Sequence, residues 1–222
     1  MLLAIDTATH FAGLALVGQG QVWAEESWHS AMTHSVELAP RIRRMLSTQR
    51  VAVESLAGIA VSLGPGSFTG LRIGLAAAKG LALPHRLPLI GISALDSMAY
   101  PHQAEGQPVW TVIQAGRGRI GVACYDQVEG EWTQIVAPTL TTFEGLCTLA
   151  SGRAIFTGEI DDQAAAWLRE QLGEAATIPT PARRLRRAAY LAELAAVRLA
   201  RNDVDDLATL APLYLQHPAV ET

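Results

Sequence analysis

The sequence predicts an α/β protein of two linked lobes, and three observations predict it. Strands and helices come in the order strand, strand, strand, helix, strand, helix, strand, and a second unit of strands and helices follows. Half of the residues are apolar, ample for a real core. A polar, turn-rich stretch, PHQAEGQP at residues 101–108, divides the 222-residue chain near its middle, and domains of about 100 residues each fit that length. The lobes are placed at residues 1–103 and 104–222.

Each element has its own signal. MLLAI is a short apolar strand ending at Asp6, and the polar turn Thr7–His10 leads into a second strand, FAGLALV. Gly18-Gln19-Gly20 is a turn, and QVWAEESW alternates as a third strand, which makes an antiparallel meander. From Ser35 the period lengthens. Leu38, Ile42, Met45 and Leu46 fall on one helix face, with Arg41, Arg43 and Arg44 set off from it. Pro40 removes a hydrogen bond inside that helix and predicts a kink near its first turns. LAGIAVSL reads as a buried strand, residues 68–83 as a second helix and LPLIGIS as another buried strand. A short helix over about 94–100 closes the first half. Beyond the hinge, VWTVIQ, RIGVACYD and WTQIVAP are strands. Helical patterns at FEGLCTLA and DDQAAAWLREQL flank the strand AIFTG, and a last helix runs from about Leu185 to Arg201.

Composition narrows the function classes. With only 17% charged residues, the surface must expose apolar area, as a subunit does. A net charge of −4 and a pI near 5.9 argue against autonomous nucleic-acid binding, though not against membership of a complex that holds RNA. Cys124 and Cys147 are the two cysteines and form no CxxC pair, which suits small core hydrophobes in a reducing compartment. Asp6 falls where a signal peptide needs apolar residues, and Lys79 interrupts the longest candidate span. A soluble, cytoplasmic protein is expected.

The segment SLGPGSFTGLRIG, residues 62–74, poses the main chemical question. A Walker A loop follows its second glycine with Lys-Ser/Thr, so that the lysine reaches the terminal phosphates. Here Gly66 and Gly70 are followed by Leu71 and Arg72, and the nearest lysine, Lys79, is the only one in the chain. The spacing does not suit a dinucleotide fingerprint either. A structural turn of Gly64, Pro65, Gly66 and Ser67 fits better, with Ser67 or Thr69 capping the helix. Inside that helix Gly70, Gly74 and Ala78 recur every four residues. A glycine costs a helix interior ~1 kcal/mol relative to alanine. The stripe therefore implies a closely approaching backbone, either the protein's own sheet or a helix of a partner.

Taken together, AIDTAT, THSVELAP, SLGPGSFTGLRIG, KGLAL and PLIGISAL resemble the TsaB (YeaZ) family, whose members are non-catalytic subunits of the bacterial machinery that makes threonylcarbamoyladenosine in tRNA. The match is dense over roughly the first hundred residues, and GPGSFTG followed by LRIG is its most specific piece. The second half departs from the pattern. QAGRGRIG stands where the family has DARRGEVY, so Gln114, Gly116, Arg119 and Gly121 differ, and Gln216 follows Pro212-Leu213-Tyr214-Leu215 where an arginine is usual.

The resemblance implies an actin-like ATPase (ASKHA, ribonuclease H-like) fold with two related lobes. It implies a first turn, Asp6, Thr7 and Thr9, that faces a nucleotide phosphate, with weak ATP or ADP binding and no required cofactor. No residue of the chain is expected to be catalytic. It also implies pairing with the catalytic paralogue TsaD through a bundle of helices, here about His34–Ser47 and Phe68–Leu83. The ATPase TsaE joins that pair and tRNA is met only through the complex; a homodimer forms without TsaD, and no membrane is involved. On that mapping the contact residues are Leu38, Ile42, Met45, Leu46, Gly70, Leu71, Gly74, Leu75 and Ala78.

Two rival chemistries are weighed against this. An ATP-dependent enzyme of the same superfamily would use Asp6 on a metal–phosphate unit, where the structural alternative is a turn-capping carboxylate. A glycoprotease-like metallopeptidase needs a histidine pair, but His29 and His34 stand five apart and do not share a helix face. Nor does Gly64-Pro65-Gly66-Ser67-Phe68 make a nucleophile elbow. Arg183, Arg184, Arg186 and Arg187 form one compact basic cluster, a solvated helix face or, on the sharper reading, an RNA or partner contact. Arg41, Arg43 and Arg44 would rim the interface and meet acidic partner residues.

Overall fold

In the computed structural model, which describes residues 1–30 and 33–215, two five-stranded mixed sheets share one connectivity. The first is built from β1 (Leu2–Asp6), β2 (Phe11–Gly18) and β3 (Gln21–His29), then α1 (His34–Thr48), β4 (Gly58–Gly64), α2 (Phe68–His85), β5 (Leu89–Ser93) and α3 (Ala94–Ala99). Its strand order is β3-β2-β1-β4-β5, with β1 antiparallel to β2 and parallel to β4. The second sheet contains β6 (Val109–Gly116), β7 (Arg119–Val128), β8 (Glu131–Thr141), β9 (Ala154–Gly158) and β10 (Ala176–Thr177), in the order β10-β9-β6-β7-β8. Helices α4 (Phe143–Leu149), α5 (Asp162–Leu172), α6 (Pro181–Arg184) and α7 (Ala188–Ala200) complete the chain. Each unit is thus a meander followed by two parallel strands, with a helix in the crossover. This is the ribonuclease H-like topology that an actin-like ATPase fold carries twice, as expected.

Alternation along β1 explains how the first sheet is covered on both faces. Leu3 and Ile5 pack with Leu38, Ile42 and Leu75 on the side of α1 and α2. Leu2 and Ala4 pack with Ala188, Leu191 and Ala192 of α7 on the other side. A strand covered on both faces reads as a continuous apolar run, and LLAI does, up to Asp6 at its end. In the second unit, Trp110, Val112, Ile120, Val122 and Phe156 meet Leu146, Ala165 and Leu168 of α4 and α5.

The expected division at residues 103 and 104 is drawn differently by the contacts. Met1–Ser97 and Arg186–Tyr214 form one unit, and Met98–Leu185 belong to the other. The reason is α7, whose buried Ala188, Leu191, Ala192 and Ala195 cover the first sheet although they come last in the chain. That helix also begins later than the sequence indicates. Leu185 and Arg187 are extended, and the free N–H of Ala189 is met by Glu25 Oε1 of β3 at 3.0 Å. An anion from another element so caps the helix and complements its dipole. Gln216, one of the departures from the family pattern, lies outside the described residues.

Candidate functional site

The carboxyl end of β1 and the turn after it are closed by the chain itself. Asp6 Oδ1 accepts the N–H of Ala8 at 3.0 Å, and Oδ2 accepts Nε of Arg186 in a buried ion pair. The Arg186 side chain is 4% exposed and that of Asp6 2%, so neither charge is satisfied by water. Arg186 Nη2 continues to Thr9 Oγ1 at 3.1 Å and to the Phe11 carbonyl at 2.7 Å. Thr7 Oγ1 donates to the Gly70 carbonyl at 2.8 Å, and His34 Nε2 lies 3.0 Å from the Thr9 carbonyl. The expectation for Asp6, Thr7 and Thr9 is a turn facing a phosphate, and in this structure that turn is closed by the chain. All three are buried, and their side chains are engaged by this chain's own groups. A buried carboxylate needs a counter-charge, and Arg186 supplies it from 180 positions away in the sequence.

The glycine-rich segment is the other half of the same interlock. Ser67 N–H donates to the Ala8 carbonyl at 2.6 Å, and Ser67 Oγ accepts the Gly70 N–H at 3.2 Å as the cap of α2. The Gly64–Pro65 peptide at its start is cis. A Cβ on Gly66 would stand 2.1 Å from the Ala8 carbonyl oxygen, and one on Gly70 would stand 2.2 Å from that of Thr7. Only a bare backbone fits there. The small-residue stripe is explained by close approach to the protein's own β1–β2 turn, and the turn's backbone donor already has a carbonyl partner where a phosphate cradle would leave it open. Ser62 Oγ, buried in β4, has no hydrogen-bond partner among the described residues.

The two expected contact helices are neighbours, but the residues assigned to the contact point inward. Leu38, Ile42, Met45, Leu46, Gly70, Leu71, Gly74, Leu75 and Ala78 are all buried in this chain. This is a correction with a simple cause: an amphipathic helix lying on a sheet turns its apolar stripe to that sheet. What faces outward is Ser35, Val36, Ala39, Pro40, Arg43, Arg44, Ser47 and Thr48 on α1, with Phe68, Thr69, Arg72, Ala76, Gly80, Leu83, Pro84 and His85 on α2. Val36 is 67% exposed and Leu83 68%. A Cβ added at Gly80 would meet nothing within 4 Å. Arg41 and Arg44 do not form a free basic rim. Both bind Glu26 of β3, and the Arg41 guanidinium lies 4.4 Å over the Trp28 ring. The Ser30 hydroxyl donates to Glu37 at 2.7 Å and holds that carboxyl below its usual range. At the start of α2, Phe68 stacks on Tyr214 at 5.3 Å between centroids, and Arg72 Nε donates to the Tyr214 hydroxyl at 3.1 Å.

The remaining candidates are also used internally. Arg183 pairs with Glu105 and Arg184 donates to the Ile160 carbonyl in one unit, while Arg186 pairs with Asp6 and Arg187 with Glu25 in the other. The basic run is thus a set of anchors. Among the described residues no three of His, Cys, Asp or Glu come together as a metal site. His102, which the sequence places in a loop, is buried with Nδ1 2.8 Å from Glu105 and Nε2 3.1 Å from Thr157 Oγ1. No sequence signal marks that pairing, because Thr157 lies 55 residues further on. Within the altered segment, Gln114 and Gly118 line a shallow pocket of about 320 Å³ with Phe143, Glu144, Asp161 and Trp167.

With this geometry in hand, the comparisons with known proteins are specific. A family model described as "TsaD: tRNA N6-adenosine threonylcarbamoyltransferase" matches residues 28–222. The chain belongs to the TsaB (YeaZ) family. The family's TsaB of Bacillus subtilis, a tRNA threonylcarbamoyladenosine biosynthesis protein, is 33% identical over 135 residues, which are 61% of this chain and 59% of that one. The first match thus spans less than two thirds of its relative's length. The Haemophilus influenzae TsaB is 28% identical over 97% of this chain and 93% of its own. The solved structure of YeaZ from Pseudomonas aeruginosa superposes with a TM-score of 0.80 at 25% identity, covering 96% of this chain and 99% of that one.

Proposed function

We propose that this chain is a non-catalytic subunit in the biosynthesis of N6-threonylcarbamoyladenosine in tRNA, and that it acts by pairing with a TsaD-type catalytic subunit. The observation that carries the reading is the outward side of α1 and α2, where Val36, Ala39, Pro40, Ala76, Gly80 and Leu83 expose apolar and small surface on two neighbouring helices, beside the exposed Arg43, Arg44 and Arg72. Single exposed hydrophobes are ordinary, whereas an apolar face shared by two helices suits a partner. Ala76 and Gly80, about one turn apart on α2, let a partner helix approach closely. The contact helices of the family-based expectation are retained, with the opposite face of each in use. ATP is handled by a TsaE-type ATPase and by the catalytic subunit. With a net charge of −4, this chain meets tRNA through the complex. Without the catalytic partner the same face buries itself in a two-fold homodimer, since such a contact reuses one patch on both chains. No described helix is long and apolar enough to cross a membrane, and we place the work in the cytoplasm, with the tRNA.

Size-exclusion chromatography with light scattering tests this, on the chain alone and mixed with the TsaD-type subunit of the same genome. The expected result is a heteromer that replaces a homodimer. The pair Ala76→Glu and Leu83→Glu should abolish both the heteromer and the homodimer, leaving a monomer whose circular-dichroism spectrum is that of the folded chain. Association that survives both substitutions, or that never occurs, overturns the reading.

A further inference from the structure

The fold implies a nucleotide phosphate and its metal at the turn after β1, and the residues here do not fit that group. Asp6 has one carboxylate oxygen on the Ala8 N–H and the other on Arg186. Thr7 is engaged by Gly70, and Thr9 Oγ1 receives both the Phe11 N–H at 3.2 Å and Arg186 Nη2 at 3.1 Å. The Ser67 N–H is closed by the Ala8 carbonyl. Each oxygen of Asp6 already has a partner from this chain, and one of the two is a positive charge. We infer that Arg186 is a built-in counter-ion standing in for a divalent cation at Asp6, so that the β1–β2 turn takes no metal–phosphate unit.

The electrostatics run one way. A buried carboxylate is stable only beside a compensating charge, which a metal ion or a guanidinium can supply. The guanidinium is tethered, so its local concentration is fixed by the fold and does not depend on ion supply. It also forks over three acceptors at once, Asp6, Thr9 Oγ1 and the Phe11 carbonyl, a planar match that a single ion does not make. A dication arriving at Asp6 would have to displace Arg186 or sit beside its positive charge in a site shielded from water, where repulsion is strong. Arg186 lies where the chain returns from the second unit to the first, so the same contact pins the entry to α7. The inference rests on this turn alone and not on pairing with a catalytic subunit, so either can fail without the other.

The test is paramagnetic broadening of amide resonances in the full-length ¹⁵N-labelled chain, titrated with MnCl₂ and then with MnCl₂ and ATP. In the wild type, the resonances of Asp6 to Phe11 should keep their intensities. In Arg186→Met they should broaden, and the melting temperature should rise with Mn²⁺ by several degrees while that of the wild type stays constant. Asp6→Asn combined with Arg186→Met should lose that rise. Broadening at Asp6 to Phe11 in the wild type overturns the inference, and so does a folded Arg186→Met that ignores Mn²⁺. Should Arg186→Met not fold, the wild-type titration decides: unchanged intensities uphold the inference and local broadening ends it.

Discussion

Asp6 shows how one residue's role is set by what reaches it. The carboxylate sits at the end of the first strand, where an actin-like enzyme would use it, yet Arg186 makes it half of a buried ion pair. Such pairs add little stability over an apolar isostere, but removing one partner is costly because the other charge is left stranded. Position in the chain therefore does not decide chemistry here; the neighbour does. Cys124 makes the same point for reactivity. Burial, with the Asp126 charge adding to it, pushes its thiol from 9.0 up to about 12. The folded thiol so keeps its proton where an unfolded one loses it. The contribution to stability is complete below about pH 9 and falls as pH rises from there toward 12. We expect Cys124 to resist a thiolate-directed reagent at pH 8 in the native protein and to react in urea. Mass spectrometry of the labelled peptides checks this, and native labelling of Cys124 would contradict it.

At the scale of elements, α2 carries two different jobs on two faces. Gly70 and Gly74 lie against the β1–β2 turn, and Gly80 faces open space. The three look alike as sequence, but an added methyl separates them. Gly80→Ala should raise stability by roughly 0.5–1 kcal/mol, the helix-propensity gain. Gly70→Ala should lower it by more than that gain, because its Cβ would stand 2.2 Å from the Thr7 carbonyl oxygen. Urea unfolding of the two variants reads both signs, and equal shifts would refute the packing argument. The same logic explains why the contact residues named from sequence proved to be core. Leu38, Ile42 and Leu75 follow the helical period correctly, and each contributes ~1.5–3 kcal/mol by leaving water. A charge placed there would disrupt the fold before it could report on any partner. The small, exposed Ala76 and the isolated Leu83 on the other face gave no comparable periodic signal.

At the scale of the molecule, the chain builds one sheet, leaves it to build a second, and returns. Arg186–Tyr214 therefore belong with Met1–Ser97 although 88 residues of other structure, Met98 to Leu185, separate them. A fragment of residues 1–103 would expose Leu2, Ala4, Ala15, Ala60, Ile90 and Ile92, the face that α7 covers. We expect that fragment to be insoluble or without fixed packing, and the same fragment joined to residues 186–214 by a short flexible linker to fold. Dispersed amide spectra distinguish the two, and a well-folded 1–103 would refute the dependence on α7. Two similar sheets can persist through their cores alone, since function resides in sites placed on the fold.

By itself the sequence determined the order and kind of nearly every element, the apolar stripes of α1 and α2 though not which way they face, and the close approach that Gly70 demands. These are local facts, encoded in the spacing of residues a few positions apart, and AIDTAT and GPGSFTGLRIG carry enough of them to mark the family. Only the tertiary structure decided which backbone fills that close approach, which face of the helix pair stays open, and what neutralises Asp6. Those outcomes join residues far apart in the chain, Thr7 with Gly70 and Asp6 with Arg186. A contact across 63 or 180 positions leaves no period to read, because it is fixed by packing of the whole unit.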